Sequence, residues 1–212
     1  MFNVTRHQPG PDCSTDYRSK DVILALKKIF NGKCYLCEDK VTDPVVEHFI
    51  PHEGDPVKKF NWNNLYYACR RCNSIKGVTT DILDCCDAAI NVSDAIKCLC
   101  PSVPDNNVVV EAQNCDEKTQ NTANLLGKCY NEKNTGIRGI SREALHEKLF
   151  EHYCKFIDDR RKLKNLDSSQ QEKESAKEHL TQMKNIAYPF SAFWKWHILS
   201  DAFLNEQFKG IQ

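Results

Sequence analysis

The chain has 212 residues, with 29 basic and 29 acidic side chains, so its formal net charge is zero. A strongly basic chain that binds nucleic acid through its overall charge is therefore excluded, and any such site must come from local residues. Apolar residues make up 41% of the chain, which is enough for a modest core. No apolar run reaches the roughly 18 residues of a membrane span, and the first residues lack the apolar stretch of a signal peptide. We expect a cytoplasmic protein without a membrane partner.

Composition predicts four regions along the chain. Residues 1–17 contain Pro9-Gly10-Pro11 and predict an irregular N-terminal arm, and residues 18–80 predict a compact core. Residues 81–118 predict an acidic connecting segment packed on that core, since residues 81–120 hold eight acidic and two basic side chains. Residues 119–212 predict a helical region that docks a partner or positions a substrate.

In the first half, the apolar spacing over 21–30 predicts a helix that ends near Gly32. The β-branched residues and prolines of 41–51 predict a short hairpin or two strands. Residues 63–76 predict a helix or a turn that opens one. The expected order in the core is therefore a helix, a strand pair and a second helix.

In the second half, Val108-Val109-Val110 predicts a strand or a strand pair packed on the first region. Ser141 is a predicted N-cap of a long helix with a buried stripe, and residues 165–174 predict a loop or a solvated helical turn. Helices are also predicted over 172–187 and 190–204. The aromatic residues of the last helix have helical spacing, so we expect them in the core rather than stacked on bases; they are Phe190, Phe193, Trp194 and Trp196.

The chain contains 12 cysteines, which we expect to stay reduced because no secretion signal is present. Cys34 and Cys37 form one Cys-x2-Cys pair, and Cys69 and Cys72 form a second after the intervening residues 38–68. Two such pairs supply the four thiolates that tetrahedral structural zinc prefers, so we predict a four-cysteine zinc site. Four further cysteines lack this spacing and are expected to be small buried residues, with a second zinc site as the alternative; they are Cys85, Cys86, Cys98 and Cys100.

Polar residues occur in a set order around these pairs. Glu47 and His48 lie within the β-branched stretch, directly after Val46; Asn64 precedes the second cysteine pair, and Asn73 comes directly after it. Taken singly, His48 or Glu47 would more often be an ordinary surface or hydrogen-bonded residue, and either asparagine a turn or cap residue. Their joint placement around two metal-binding pairs favours a catalytic site.

Residues 33–77 resemble the zinc-containing HNH endonucleases, a family built on a ββα-metal fold. The resemblance implies that His48 is the general base acting on the attacking water, and that Asn64 steadies the loop that orients it. It also implies that Glu47 and Asn73 bind a catalytic divalent ion. Because an amide oxygen is a hard, neutral donor, Mg2+ or Mn2+ is the expected ion.

Basic residues flank this motif. Arg70, Arg71 and Lys76 could bind backbone phosphates, with ordinary solvated charges as the alternative. Lys58 and Lys59 have the same two interpretations.

The wider organisation resembles a narrower group, the HNH subunit of Septu-type antiphage defence systems. The segments that carry this resemblance are Ile82-Leu83-Asp84 and Pro189-Phe190-Ser191. It implies an ATPase partner of the ABC or SMC-like class. We therefore expect an α+β, mostly helical protein with an HNH core, zinc knuckles formed by four cysteines and a helical C-terminal region. Its expected function is metal-dependent cleavage of double-stranded DNA. RNA, including transfer RNA, is the alternative substrate, and a catalytically silent zinc adaptor is the alternative function.

Overall fold

The structure, a computed structural model, describes residues 1–133 and 141–210. Parts of the predicted helical region, residues 134–140 and 211–212, lie outside the described residues. The fold is α+β and mostly helical, as predicted. In chain order its elements are α1 (Lys20–Ile29), β1 (Pro44–His48), α2 (Pro56–Lys59), a 3-10 turn (Trp62–Asn64), β2 (Leu65–Cys69), α3 (Arg70–Lys76), α4 (Val92–Ala95), β3 (Ile96–Leu99), β4 (Val109–Ala112), α5 (Glu117–Asn131), α6 (Arg142–Lys164), α7 (Gln170–Lys184), α8 (Ser191–Ser200) and α9 (Ala202–Gln207).

The first sheet consists of β1 and β2, which pair antiparallel with Glu47 opposite Tyr66 and His48 opposite Leu65. Helix α3 begins directly after β2. The predicted strand pair within 41–51 is wrong, because β1 finds its partner at residues 65–69. The predicted helix over 63–76 is confirmed only for Arg70–Lys76. Residues 65–68 are buried, and a short apolar run of this kind fits a buried strand as well as a helix.

The second sheet lies in the acidic segment. Strand β4 confirms the strand predicted at Val108–Val110, displaced by one or two residues, and pairs antiparallel with β3. Helix α5 packs on β4, and α8 packs on β3. Helix α3 also contacts α5, so the second sheet and its helices adjoin the first.

The remaining helices follow the predicted pattern with two differences. Ser141 caps α6 as predicted, and its hydroxyl accepts a hydrogen bond from Ala144 N at 3.1 Å. Helix α7 begins inside the predicted loop, because Ser169 and Glu172 form a reciprocal capping box. The helix predicted over 190–204 is divided at Asp201, whose carboxylate accepts a hydrogen bond from Leu204 N and caps α9.

A buried carboxylate fastens α8 to the loop after α1. Glu38 follows Cys37 with a left-handed backbone (φ 59°), and its side chain accepts hydrogen bonds from Lys33 Nζ at 3.3 Å, Ser191 Oγ at 2.9 Å and Ala192 N at 3.3 Å. Burial opposes ionisation, but the α-ammonium of Met1, 2.7 Å from Glu38 Oε1, and the ammonium of Lys33 outweigh it and lower the pKa of Glu38 to about 2. The Cys34–Cys37 loop and the start of α8 are therefore joined through an ionised carboxylate.

None of the helices among the described residues is long and apolar enough to cross a membrane.

Candidate functional site

Four cysteines meet at one end of the first sheet. Cys34 and Cys37 lie in the loop after α1, Cys69 ends β2, and Cys72 lies in the first turn of α3. Their four Sγ atoms lie within 4.8 Å of one another, and Cys37 Sγ is 3.9 Å from Cys69 Sγ. A zinc–sulfur bond of about 2.3 Å in a tetrahedron places neighbouring sulfurs about 3.8 Å apart. The predicted group therefore converges with the spacing that a zinc ion requires.

His48 ends β1 with its ring half-buried. Its Nε2 lies 3.0 Å from the carbonyl oxygen of Lys59. A carbonyl can only accept a hydrogen bond, so Nε2 carries the proton and Nδ1 has a free lone pair. Burial lowers the pKa of His48 below 6.5, although the hydrogen bond to Lys59 opposes this shift. The imidazole is therefore neutral near pH 7 and can accept a proton at Nδ1.

Asn64 holds the loop that faces His48. Its Oδ1 accepts a hydrogen bond from Ile50 N at 2.7 Å, and its Nδ2 donates to Ile50 O at 2.8 Å and to Lys58 O at 3.0 Å. The buried amide thus ties together both ends of the 50–58 loop. Because Lys58 precedes Lys59, this clamp also holds the carbonyl group that orients His48.

Glu47 points away from solvent and pairs with a buried lysine. Its Oε1 lies 2.8 Å from Lys76 Nζ, with the two side chains 8% and 0% exposed. Lys76 Nζ also donates a hydrogen bond to His48 O at 3.1 Å. Burial raises the pKa of Glu47, and the Lys76 ammonium partly reverses that effect. The carboxylate is poorly solvated and interacts with a cation in this arrangement.

Asn73 lies in α3 directly after Cys72 and is half-buried. No hydrogen bond among the described residues joins its side chain to Glu47 or His48. As a pair, Glu47 and Asn73 offer one carboxylate and one amide, both hard oxygen donors, so the donor set fits Mg2+ or Mn2+ in chemistry. If such an ion bound, the Glu47 carboxylate would have to contact both the ion and the Lys76 ammonium, or the ion would have to displace the ammonium.

The predicted phosphate-binding residues differ in their surroundings. Arg70 is exposed and pairs with Asp43 at 2.7 Å. Arg71 is fully buried and donates hydrogen bonds to Cys129 O at 3.1 Å and Glu132 O at 2.8 Å, so the prediction that it binds phosphate is wrong for this arrangement. Lys76 is also buried, because Glu47 and His48 O take up its ammonium group. The guanidinium of Arg71 and the ammonium of Lys76 therefore bind partners in the protein interior and do not form a nucleic-acid-binding surface.

Sequence reasoning missed two groups that touch His48. One is the Lys59 carbonyl, which no pattern of side chains could indicate because any residue carries one. The other is Tyr17, whose ring centre lies 4.8 Å from that of His48. Tyr17 belongs to the predicted irregular arm, where no periodicity distinguishes it. The ring of His52 also lies beside His48, with the two ring centres 4.6 Å apart.

The other singled-out residues occupy separate places. Cys98 and Cys100 are buried at β3, and metal-binding groups among the described residues do not include them. Cys85 and Cys86 instead group with Asp84, so a second site built from all four cysteines is wrong. Three of the four aromatic residues are buried as expected; they are Phe190, Phe193 and Trp194.

The chain is similar to two curated proteins over a short stretch. It is 41% identical over 58 residues to Septu protein PtuB of Bacillus thuringiensis, a match that covers 26% of this chain and 23% of that protein. It is 36% identical over 73 residues to Septu protein PtuB of Bacillus mycoides (strain KBAB4). This match covers 27% of this chain and 25% of that protein. The matches therefore span about a quarter of the length of these relatives. No protein-family profile and no solved structure matches the chain.

Proposed function

We propose that the chain is an HNH endonuclease that hydrolyses phosphodiester bonds, with DNA as its substrate. The observation that carries this proposal is the hydrogen-bonding arrangement of the two ring nitrogens of His48. One ring nitrogen is held by a backbone carbonyl and the other is free to accept a proton, beside the buried carboxylate of Glu47. The order of β1, β2 and α3, together with the convergence of two cysteines from the loop after α1, one from the end of β2 and one from α3, supports a ββα-metal core.

In this mechanism, His48 Nδ1 takes the proton of a water molecule as the water oxygen attacks the scissile phosphorus. The bond to the leaving oxygen then breaks. The positive charge that forms on the imidazole is stabilised by the Lys59 carbonyl dipole, which accepts from Nε2. Asn64 maintains this geometry, because its three hydrogen bonds fix the loop that carries the carbonyl.

Glu47 and Asn73 would hold the catalytic divalent ion, with Mg2+ or Mn2+ suited to their oxygen donors. When bound, such an ion supplies positive charge that stabilises the phosphate oxygens and the leaving oxygen. Lys76 keeps the Glu47 carboxylate ionised and fixed in the interior, and it also holds the His48 carbonyl group.

Exposed cations near His48 provide the contacts to backbone phosphates. Arg18 and Lys58 are exposed, and the Lys59 ammonium lies near Tyr17, whose ring contacts His48. These residues take the role that the sequence assigned to Arg71 and Lys76. Since the net charge is zero, the few local cations give weak binding to bare DNA, which favours an enzyme that works with a partner.

We further propose that the chain serves antiphage defence as the nuclease subunit of a complex with an ABC or SMC-like ATPase. The similarity to the two Septu proteins supports this pathway, although it covers only part of each chain. The helical region from α6 to α9 is then the part that docks the partner or positions the substrate.

The test compares wild type with His48→Ala, and with His7→Ala as a matched control at an exposed histidine. Each protein is incubated with plasmid DNA and with RNA in Mg2+ or Mn2+, alone and with any ATPase that copurifies with it from its native cells. We expect DNA cleavage by wild type and His7→Ala, and a loss of about 100-fold or more in His48→Ala at unchanged zinc content. If RNA is cleaved and DNA is not, the proposed substrate changes from DNA to RNA. Failure of wild type to cleave either nucleic acid with the ATPase present would favour the zinc adaptor.

A further inference from the structure

A second group of metal-binding side chains lies outside the proposed nuclease site. The ligand atoms of Asp84, Cys85 and Cys86 all lie within 4.8 Å of one another. Cys85 is fully buried, whereas the other two are half-buried. We propose that these three residues bind a second thiophilic divalent ion, such as Zn2+, through two thiolates and one carboxylate, with water as the fourth ligand.

The carboxylate of this group is already fixed in place. Asp84 Oδ1 accepts hydrogen bonds from the Tyr66 hydroxyl and from Cys86 N, the latter at 2.7 Å. Both hydrogen bonds that the described residues make to this carboxylate end on Oδ1, which leaves Oδ2 to bind an ion. Because these hydrogen bonds already fix the turn formed by Asp84 and Cys86 N, little chain entropy is lost on binding.

Charge balance also suits a divalent cation here. Two thiolates and one carboxylate carry three negative charges, and a divalent ion neutralises two of them. The third is matched by Arg6, which lines the same cavity as Cys86 and whose guanidinium carbon lies 4.6 Å from the centre of the Tyr66 ring. Arg6 is held there by hydrogen bonds to Trp62 O at 3.2 Å and Leu65 O at 2.5 Å. The loaded site would be neutral overall, which limits the cost of burying it.

The site can be reached from solvent. Cys86 and Arg6 both line an open cavity of about 780 Å³, bounded by the N-terminal segment 2–6 on one side and residues 87–91 on another. An ion and its water ligand can enter through this cavity, while Cys85 forms the closed side.

The bound ion would be connected to strand β2 through Tyr66. Tyr66, which donates to Asp84, lies opposite Glu47 in the sheet and stacks on Phe49 with ring centres 4.9 Å apart. An ion bound at Asp84 would therefore fasten the segment 84–86 to the strand beside the proposed nuclease site. The binding itself does not depend on nuclease activity.

The test is a titration of the reduced, zinc-free protein with Co2+, whose thiolate charge-transfer absorption reports only sulfur-bound ions. The variant is Cys85→Ser with Cys86→Ser, and the control is Cys115→Ser with Cys154→Ser, which removes two exposed thiols. If six thiolates bind metal in wild type and four in the variant, the band should fall by about a third in the variant and not in the control. Zinc analysis of the purified proteins should show one equivalent fewer in the variant.

A band of equal strength in wild type and variant would overturn the proposal, as would equal zinc content. If the variant does not fold, the titration of wild type still tests the proposal. A sulfur-bound signal that saturates at one equivalent of Co2+ would overturn it. Asp84→Asn should weaken the second equivalent about tenfold or more without changing the first. His48→Ala should bind both ions, so this result stands or fails separately from the nuclease proposal.

Discussion

Replacement of Lys76 by Met tests whether the buried ion pair with Glu47 organises the proposed site. The substitution keeps an apolar chain of similar length but removes the ammonium that lies 2.8 Å from Glu47 Oε1. Glu47 would then be a buried carboxylate without its cation. Removing one partner of a buried pair costs about 3 to 5 kcal/mol. The lower end applies because Glu47, whose pKa burial already raises, can take up a proton.

A loss of about 3 kcal/mol should lower the melting temperature by about 6 to 12 °C in a protein of this size. The assay is thermal unfolding followed by circular dichroism at pH 7.5, with Lys97→Met as the control. Lys97 pairs with Glu111 at 3.0 Å, but both side chains are more exposed, so its replacement should cost less than about 1 kcal/mol. Equal losses in the two variants would show that burial does not strengthen the Glu47 pair.

Addition of Mn2+ gives the second half of this test. If Glu47 is a metal ligand, the ion can occupy the position from which the ammonium was removed. Mn2+ should then stabilise Lys76→Met by about 2.7 kcal/mol when its concentration is 100 times the dissociation constant for this variant, and it should stabilise wild type less at the same concentration. The double variant Glu47→Gln with Lys76→Met should lose this response. A Mn2+ effect that is the same in all three proteins would refute the assignment of Glu47 as a ligand.

Three further results are expected. Since burial lowers the pKa of His48, the single-turnover cleavage rate should fall on acidification with a midpoint below pH 6.5, and a midpoint above 6.5 would contradict this assignment. Glu38→Gln should cost about 3 kcal/mol in urea unfolding because Lys33 loses its buried partner, whereas the exposed Glu178→Gln should leave the midpoint unchanged. Removal of zinc by a chelator under reducing conditions should abolish cooperative unfolding, and zinc should restore it; a zinc-free protein with unchanged circular dichroism would show that the ion is not structural.

The sequence predicted those parts of the site whose chemistry depends on side-chain identity. The two Cys-x2-Cys pairs indicated a common ion, and their sulfurs do converge. The placement of His48 and Asn64 within one small unit was also predictable, because both lie between those pairs. The orientation of His48 was not, since it depends on a backbone carbonyl at Lys59 that the loop from 50 to 58 brings back against the ring.

The fold was predictable where a pattern had one interpretation. Helices α6 and α7 have apolar stripes of helical spacing, α6 also has its predicted cap at Ser141, and both occur near the expected positions. Strand β2 was missed because Leu65-Tyr66-Tyr67-Ala68 is buried on both faces. Such a run lacks the alternation that marks a strand, and only its partner β1, distant in sequence, distinguishes the two possibilities.

The basic residues show why local sequence could not separate surface from interior at this site. A charged side chain can be buried only when partners of opposite charge or polarity reach it, and those of Arg71 are carbonyl groups of residues 129 and 132. Lys76 depends in the same way on Glu47, which lies on a different element, strand β1. Arg70, adjacent to Arg71, is exposed and pairs with Asp43 at the surface. Neighbouring arginines in one motif thus have opposite roles, and only the packing of α3 against α5 decides between them.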